Sequence, residues 1–395
     1  MNHEFVIVSA NRTAIGRFGG QLRNVTSGDL AAVVIKDALK RIDLSPDLIN
    51  EVILGEVRQS SESSNLARVA ALKAGISIKS SGFTVNRLCA SGMQSVISGL
   101  QHLAFHPDEI VITGGAENMS RAPIYLRNSR FGEGNPYLVD SNLENGQQPI
   151  EMYGKDLGMG MTAENVAEMY GISREDQDEF ALESQKRARH AWDSGKFDTQ
   201  IVPVEVKTRK EVSHFARDEH MRDTTLEKLA SLKPVFKQDG TVTAGNACGR
   251  NDGASALVIM TREKANSLGL KPLVKIKNWA TVGVDPRYMG IGPVPAVKSL
   301  LEKTGMQIQD IGLFELNEAF ASQSLAVIRE TRMDVEKVNV NGGAIALGHP
   351  LGATGAIILT KLLYEMKNRN EQFGVATLCV GGGQGMAIML ESVQT

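Results

Sequence analysis

An α/β fold, with sheets buried between helices, is what this 395-residue chain predicts. Three observations carry that reading. Short apolar runs of strand length alternate with amphipathic stretches of helical period. Hydrophobic residues make up 42% and charged residues 22%, the balance of an ordinary globular protein. Glycine is abundant, 39 residues in all, or about a tenth of the chain against a usual share of about 7%.

In chain order, strands are predicted at residues 5–9, 51–55, 83–86 and 109–113, with helices at 27–41, 65–74 and 91–105 between them. From about Arg121 to Arg250 the sequence turns polar and charged, with few strand runs. Helical apolar spacing at 159–170 and 178–192 makes this a long insertion or lid rather than a disordered tract. Alternation then resumes. Strands are predicted at 256–260, 273–279, 313–316, 338–341, 374–379 and 387–391, and helices at 295–304 and 352–367. Residues 83–103 and 338–363 share one plan of strand, turn with a reactive residue, and helix. Each is followed by a strand ending in glycines, which points to duplication.

Composition narrows the function. Lys+Arg is 43 and Asp+Glu is 45, so the net charge of −2 offers no global attraction for nucleic acid or an acidic membrane. Aromatics at 5% weaken any base-stacking role. No apolar run reaches the roughly 18 residues of a membrane span. The first residues lack a signal-peptide pattern, so a cytoplasmic location is expected. The three cysteines, Cys89, Cys248 and Cys379, are far apart with no CxxC. Disulfides and structural zinc are not expected, whereas a reactive thiol is open.

Cys89 lies in Val85-Asn-Arg-Leu-Cys-Ala-Ser-Gly-Met-Gln, between a strand end and a helix start. Unpaired N–H groups and the helix dipole there favour the nucleophilic thiolate. The rival reading is an inert buried cysteine. Gly92 would allow a close approach by another chain or a substrate. His349 lies among five glycines in residues 341–355. Pro350 suits the first helical position, leaving His349 as the cap, where the dipole favours a neutral base. Cys379 ends a strand before Val380-Gly-Gly-Gly-Gln-Gly, where backbone N–H groups could form an oxyanion hole. The glycine spacing does not fit a dinucleotide fingerprint. Asn317, in Asn317-Glu-Ala-Phe, reads either as an N-cap or as a buried polar group. His102 and His106 share a helix face but have no third metal ligand nearby, and no metal site is expected.

Together these segments resemble the thiolase family over almost the whole chain, from Arg12-Thr-Ala-Ile-Gly-Arg-Phe-Gly-Gly to Gly381-Gly-Gly-Gln-Gly-Met-Ala. Asn86-Arg-Leu-Cys-Ala-Ser-Gly-Met-Gln resembles the acyl-cysteine motif. Asn317-Glu-Ala-Phe-Ala, the Gly-His-Pro-Leu-Gly segment around His349, and Cys379-Val-Gly-Gly-Gly resemble the other three active-site loops. The glycine excess sits largely in these loops.

The resemblance implies a thiolase fold. Two duplicated βαβαβ-type halves form an α/β/α/β/α layering, and a loop domain is inserted in the first half. The corresponding division is residues 1–121 plus 252–272, an inserted coenzyme A-binding domain at 122–251, and residues 273–395. It implies a homodimer or homotetramer.

It implies acyl-CoA C-acyltransferase chemistry between acetyl-CoA, acetoacetyl-CoA or other 3-ketoacyl-CoA thioesters and coenzyme A. Coenzyme A is then a substrate, with no permanently bound cofactor. By resemblance, Cys89 is acylated, His349 activates it and Cys379 moves the α-carbon proton. Asn317 holds a water that binds the enolate oxygen with His349, and the N–H groups of Cys89 and Gly381 form a second oxyanion hole.

Arg222, Phe236, Ala244, Cys248, Met159, Ala319 and Phe320 resemble residues that bind coenzyme A and its substrate arm, and Met289 resembles a wall of the acyl pocket. Gly158 stands where short-chain members carry histidine, which puts a strict acetoacetyl-CoA preference in question. Cys248 replaces a usual serine, which weakens a hydrogen bond to the pantetheine. A ketoacyl synthase would want a histidine where Asn317 stands, and a non-catalytic acyl-CoA binder would not need the intact set.

Overall fold

The structure is a computed structural model and describes residues 3–132, 134–207 and 211–393. Its principal strands are β1 (Phe5–Thr13), β2 (Glu51–Gly55), β3 (Ser81–Val85), β4 (Val111–Asn118), β5 (Asn251–Thr261), β6 (Val274–Gly283), β7 (Leu313–Leu316), β8 (Phe373–Val380) and β9 (Gln384–Ser392). Its principal helices are α1 (Ser27–Lys40), α2 (Leu66–Ala74), α3 (Ser91–Phe105), α4 (Met159–Tyr170), α5 (Arg174–Asp193), α6 (Pro293–Thr304), α7 (Ala321–Thr331) and α8 (Leu351–Arg369).

The strands run in the order β7-β8-β9-β6-β1-β5-β4-β2-β3, with Gly16–Arg17 and Ile201–Val202 attached beside β5 and β1. The joint between halves is thin, since β1 and β6 pair only at Val6↔Lys275 and Ile7↔Val274. On either side of it the pattern repeats. The order β1-β5-β4-β2 has its counterpart in β6-β9-β8-β7. The parallel pair β2–β4 matches β7–β8, and the antiparallel pair β4–β5 matches β8–β9. Duplication, expected from two similar segments, is therefore built into the topology.

Among the described residues β3 has no counterpart strand in the second half. The strand predicted at 338–341 shrinks to one parallel bridge, Phe314↔Val338. Asn339 turns away at φ 47°. Its side chain replaces the backbone ladder, accepting from Leu316 N at 2.9 Å and donating to Leu316 O at 2.8 Å.

Helices α3 and α8 form the middle layer. Met93, Val96 and Leu100 of α3 and Ala356, Leu359 and Leu362 of α8 pack with Ile7, Ile53 and Leu257 from one half and Leu313, Ala376 and Ile388 from the other. Helices α1 and α2 cover the outer face of the first half, and α6 and α7 that of the second. On α1, Leu30, Val34, Ile35 and Ala38 are fully buried on one face, and Thr26 caps the helix by accepting from Asp29 N. Each buried Leu, Val or Ile contributes about 1.5–3 kcal/mol.

The segment after β4 contains α4 and α5 as expected. It also contains two short hairpins that the polar sequence did not signal, Ile124–Arg127 with Tyr137–Asp140 and Val204–Lys207 with Val212–Phe215. It is tied to the core by a fully buried ion pair, Arg12 Nη1 to Asp218 Oδ1 at 2.8 Å. Ile15 N and Trp192 Nε1 satisfy the same carboxylate.

Candidate active site

Cys89 lies in a knotted turn between β3 and α3. Leu88 is held at φ 46°, and its N–H donates to Asn86 Oδ1 at 2.9 Å. Ser91 accepts from Arg87 N at 2.9 Å and donates to Leu88 O at 2.6 Å. His349 stands two residues before α8 just as Cys89 stands two residues before α3. The two halves thus present their reactive groups at equivalent positions.

Glycine brings those positions together. A Cβ at Gly92 would lie 2.9 Å from Gly352 O and from Ala356 N, and one at Gly355 would strike the Met93 backbone. The close approach expected at Gly92 is to α8, so the starts of the two central helices touch backbone to backbone.

His349 is buried. Its backbone N–H donates to Asn251 Oδ1 at 3.0 Å. Its Nδ1 lies 2.6 Å from Thr354 Oγ1, and Thr354 donates its own hydroxyl hydrogen to Pro350 O at 2.9 Å. Thr354 can therefore only accept from Nδ1–H, which leaves Nε2 as the bare lone pair. Nε2 is buried without a partner. Burial pulls the His349 pKa down to about 4, so the ring is a neutral base. The expected cap was one residue off. Pro350, at φ −72° and ψ 97°, is the N-cap, without a side-chain hydrogen bond, and α8 begins at Leu351.

Desolvation opposes the resting thiolate expected at Cys89. Burial pushes its pKa up to about 11, against the N–H groups of Gly381 and of Cys89 itself and the charge of Arg58, which all favour the anion. Desolvation wins, and the resting nucleophile is a thiol that needs a base. The Gly381 and Cys89 N–H groups nonetheless point at the sulfur, where an oxyanion donor pair is useful.

Cys379 is fully buried on β8. Burial, then the charges that Cys89 and Cys248 would carry, push its pKa well above the ordinary thiol value. Cys248 is pushed up to about 12 for similar reasons. The three thiols share one electrostatic environment. Cys379 packs in an apolar cluster with Met289, Ala319, Phe320 and the partly buried Met159, so these residues do meet around one sulfur. A Cβ at Gly381 would touch Leu88, Gln147 and Met159, which adds Gln147 to the wall.

Asn317 is 1% exposed, and neither its Oδ1 nor its Nδ2 has a partner. It caps no helix, because α7 begins only at Ala321. Its N–H extends the strand pairing to Thr377 O at 3.0 Å. A buried unsatisfied amide costs about 1–3 kcal/mol and marks a place for a water or a ligand oxygen. Asn317 lines a small internal cavity with Gly348 and Thr354, beside the His349 loop. Glu318, which sequence reasoning passed over, binds this loop to its neighbours by accepting from Ser184 Oγ, Asn339 Nδ2 and Ile345 N.

Of the coenzyme A candidates, Arg222, Phe236 and Ala244 are exposed and Cys248 is partly buried, whereas Ala319 and Phe320 lie in the buried cluster around Cys379. Phe236 packs over Gly160 and edge-on to Phe320 at 6.3 Å. Arg222 Nη1 donates to Ala244 O at 2.9 Å. Arg222 also lines a recess of about 400 Å³ with Arg17 and Arg250. Cys248 N donates to Ala319 O at 3.0 Å, joining these loops. His102 pairs with Glu109, Nε2 to Oε2 at 2.6 Å.

Residues 5–263 match the thiolase N-terminal domain and residues 270–392 the thiolase C-terminal domain. The chain belongs to the thiolase family. It is 49% identical over 392 residues to an acetyl-CoA acetyltransferase of Cupriavidus necator, covering 98% of this chain and 99% of that one. The crystal structure of the Bacillus anthracis acetyl-CoA acetyltransferase superposes with a TM-score of 0.96 at 47% identity, covering 99% of each chain. That of human mitochondrial 3-ketoacyl-CoA thiolase in complex with CoA gives 0.93 at 42% identity, over 99% of this chain and 98% of that one. As a thiolase, the chain is an acyltransferase, and its layered fold is the family's.

Proposed function

We propose that this thiolase interconverts two acetyl-CoA with acetoacetyl-CoA and coenzyme A through an acyl-Cys89 intermediate. In the cleavage direction His349 Nε2 takes the Cys89 proton as the sulfur attacks the 3-keto carbon. The N–H groups of Cys89 and Gly381 hold the resulting oxyanion. The C2–C3 bond breaks, and Asn317, through a water and with His349, holds the enolate oxygen. Cys379 delivers the proton to the enolate carbon, and the raised pKa of its thiol keeps that proton in place beforehand. Coenzyme A then displaces the acyl group. The observation that carries this reading is the fixed tautomer of His349, which leaves Nε2 free.

Mass spectrometry of the intact protein after exposure to acetyl-CoA tests it. One acetyl adduct on the Cys89 peptide is expected, absent in Cys89→Ala. Cys379→Ala should still acylate yet fail to cleave acetoacetyl-CoA, and full cleavage by that variant would overturn the assignment.

A second reading, a degradative thiolase of broader chain length, is favoured by Gly158. It caps α4 without a side chain, and a Cβ there would meet Asn145 at 3.2 Å.

The basic recess of Arg17, Arg222 and Arg250 supports a role for residues 122–251 in binding coenzyme A, whose phosphates such guanidinium groups suit. We assign residues 1–121 with 252–272, and 273–395, to the two halves. Self-association as a dimer or tetramer is supported by β3, a sheet-edge strand with Phe83 half-exposed. No helix among the described residues is long and apolar enough to cross a membrane, and we infer a cytoplasmic enzyme.

A further inference from the structure

Lys361 lies about two turns beyond Thr354 on the same face of α8. Its side chain and that of Glu315 on β7 are 4% and 5% exposed, and Lys361 Nζ meets Glu315 Oε2 at 2.8 Å. Nζ also donates to Gly342 O at 2.7 Å. An ammonium carries three hydrogens, and among the described residues Lys361 spends two of them on protein acceptors. Burial raises the Glu315 pKa, the Lys361 charge opposes that rise, and Glu318 and Glu365 reinforce it. A buried ion pair adds little net stability over apolar packing, so this one is better explained by what it faces.

It faces Asn317. Glu315, Asn317, Thr354 and Lys361 all line the internal cavity beside the His349 loop, with Leu347 and Ile357 as apolar wall. The cavity measures about 20 Å³, room for one water, so the polar groups around it lie one water apart. Asn317 is 1% exposed, and both atoms of its amide lack a protein partner.

We propose that Lys361 is a positioning residue for the carbon–carbon step, fixing the Asn317 amide through one water in this cavity. The water accepts the third Lys361 hydrogen and donates to Asn317 Oδ1. Oδ1 is thereby committed to the cavity, and Nδ2 is turned away from it toward the enolate. Nδ2 is the only donor on the amide. The water that serves the enolate oxygen is then held by a donor and keeps its own hydrogens for that oxygen. With the amide flipped, Oδ1 would take one of those hydrogens, and Nδ2 would oppose the Lys361 hydrogen across the cavity. The ammonium also adds positive potential behind the developing oxyanion.

The proposal rests on Asn317 serving the enolate oxygen. In Lys361→Met, kcat for cleavage of acetoacetyl-CoA should fall about tenfold or more with KM unchanged. Single-turnover acylation of Cys89 by acetyl-CoA should keep the wild-type rate, and Lys361→Arg should recover part of kcat. Lys361→Met leaves Glu315 unpaired, so the double variant Glu315→Gln/Lys361→Met is measured beside it. There the melting temperature should return toward wild type while the loss of kcat persists. A kcat that recovers with the melting temperature overturns the proposal, as does an equal loss in acylation and cleavage. A crystal structure of the wild-type enzyme decides even if neither variant folds. A water bridging Asn317 and Lys361 is expected, and a cavity without one overturns the proposal. Asn317→Ala separates the proposal from the reading beneath it. Cleavage by that variant at the wild-type rate would remove the enolate role of Asn317 itself, whereas a loss there with none in Lys361→Met would remove only the role of Lys361.

Discussion

Thr354 Oγ1 lies 2.6 Å from His349 Nδ1 and spends its own hydrogen on Pro350 O, so one threonine fixes which nitrogen of the histidine is basic. Thr354 sits one turn into α8, and the bond holds the ring against that helix. Thr354→Val keeps the shape and removes the acceptor, leaving a buried Nδ1–H unpaired. We expect kcat to fall about tenfold or more, with Thr354→Ser recovering most of it. The check is steady-state thiolysis beside a thermal melt. A loss of melting temperature with unchanged kcat would show that Thr354 serves the fold alone.

The resting pair of Cys89 and His349 is neutral on both sides, with the thiol near 11 and the imidazole near 4. Alkylation of Cys89 by iodoacetamide without substrate should therefore be slow at pH 7 and keep rising up to about pH 11. A cysteine already ionised would instead react at a rate flat from pH 7 upward. Rates measured by mass spectrometry from pH 6 to 10 distinguish the two.

Stability should respond to acid through the same burial. His349 and His220 are both pulled down to about 4, His349 by burial and His220 by burial and then by the Arg222 charge. A depressed histidine stabilises the fold above its unfolded value near 6.5, and that contribution is lost as pH falls toward 4, about 3 kcal/mol for each group. Glu56, pushed up to about 8 by burial and by Glu117, works in the opposite direction, favouring the folded state as pH falls below 8. His220→Gln should flatten the fall of melting temperature between pH 6.5 and 4. An unchanged slope would mean that His220 is solvated.

The segments that carry the proposed chemistry were legible because each joins a strand end to glycines and a reactive side chain, as at Cys89, His349 and Cys379. Local pattern could not reveal partners brought in from elsewhere in the chain. Glu117 holds Gly352 N at 2.8 Å across 235 residues, and Asn251 holds His349 N across 98. The strand expected at 338–341 failed because the Asn339 side chain imitates the backbone it displaces, which no hydropathy pattern records. At Cys89 the helix-end polarity that favours a thiolate can be read from sequence, whereas the desolvation that opposes it cannot.

Glycine at position 92 is a packing requirement. In Gly92→Ala the new Cβ would meet Gly352 O and Ala356 N at 2.9 Å, and both are backbone atoms of α8 that cannot swing aside. Overpacking of this kind costs about 1–3 kcal/mol. The relief available is a separation of α3 from α8, which carries Cys89 away from His349. We therefore expect a lower melting temperature together with a loss of acyl-enzyme formation. Retention of full acylation rate by a destabilised variant would show that the two helix starts move as one body.

Asn317 separates function from stability. Its side-chain amide is buried with no hydrogen bond to another protein group, so Asn317→Ala breaks no bond within the protein and leaves a small void. With no hydrogen bond inside the protein to lose and only a small packing loss, the melting temperature should change little. Activity should fall about a hundredfold, as expected for the loss of a donor to a developing oxyanion. The loss should lie in carbon–carbon bond cleavage and spare the acylation of Cys89 by acetyl-CoA. Single-turnover acylation measured against steady-state cleavage makes the distinction, and an equal loss in both steps would place Asn317 at the Cys89 oxyanion instead of the enolate.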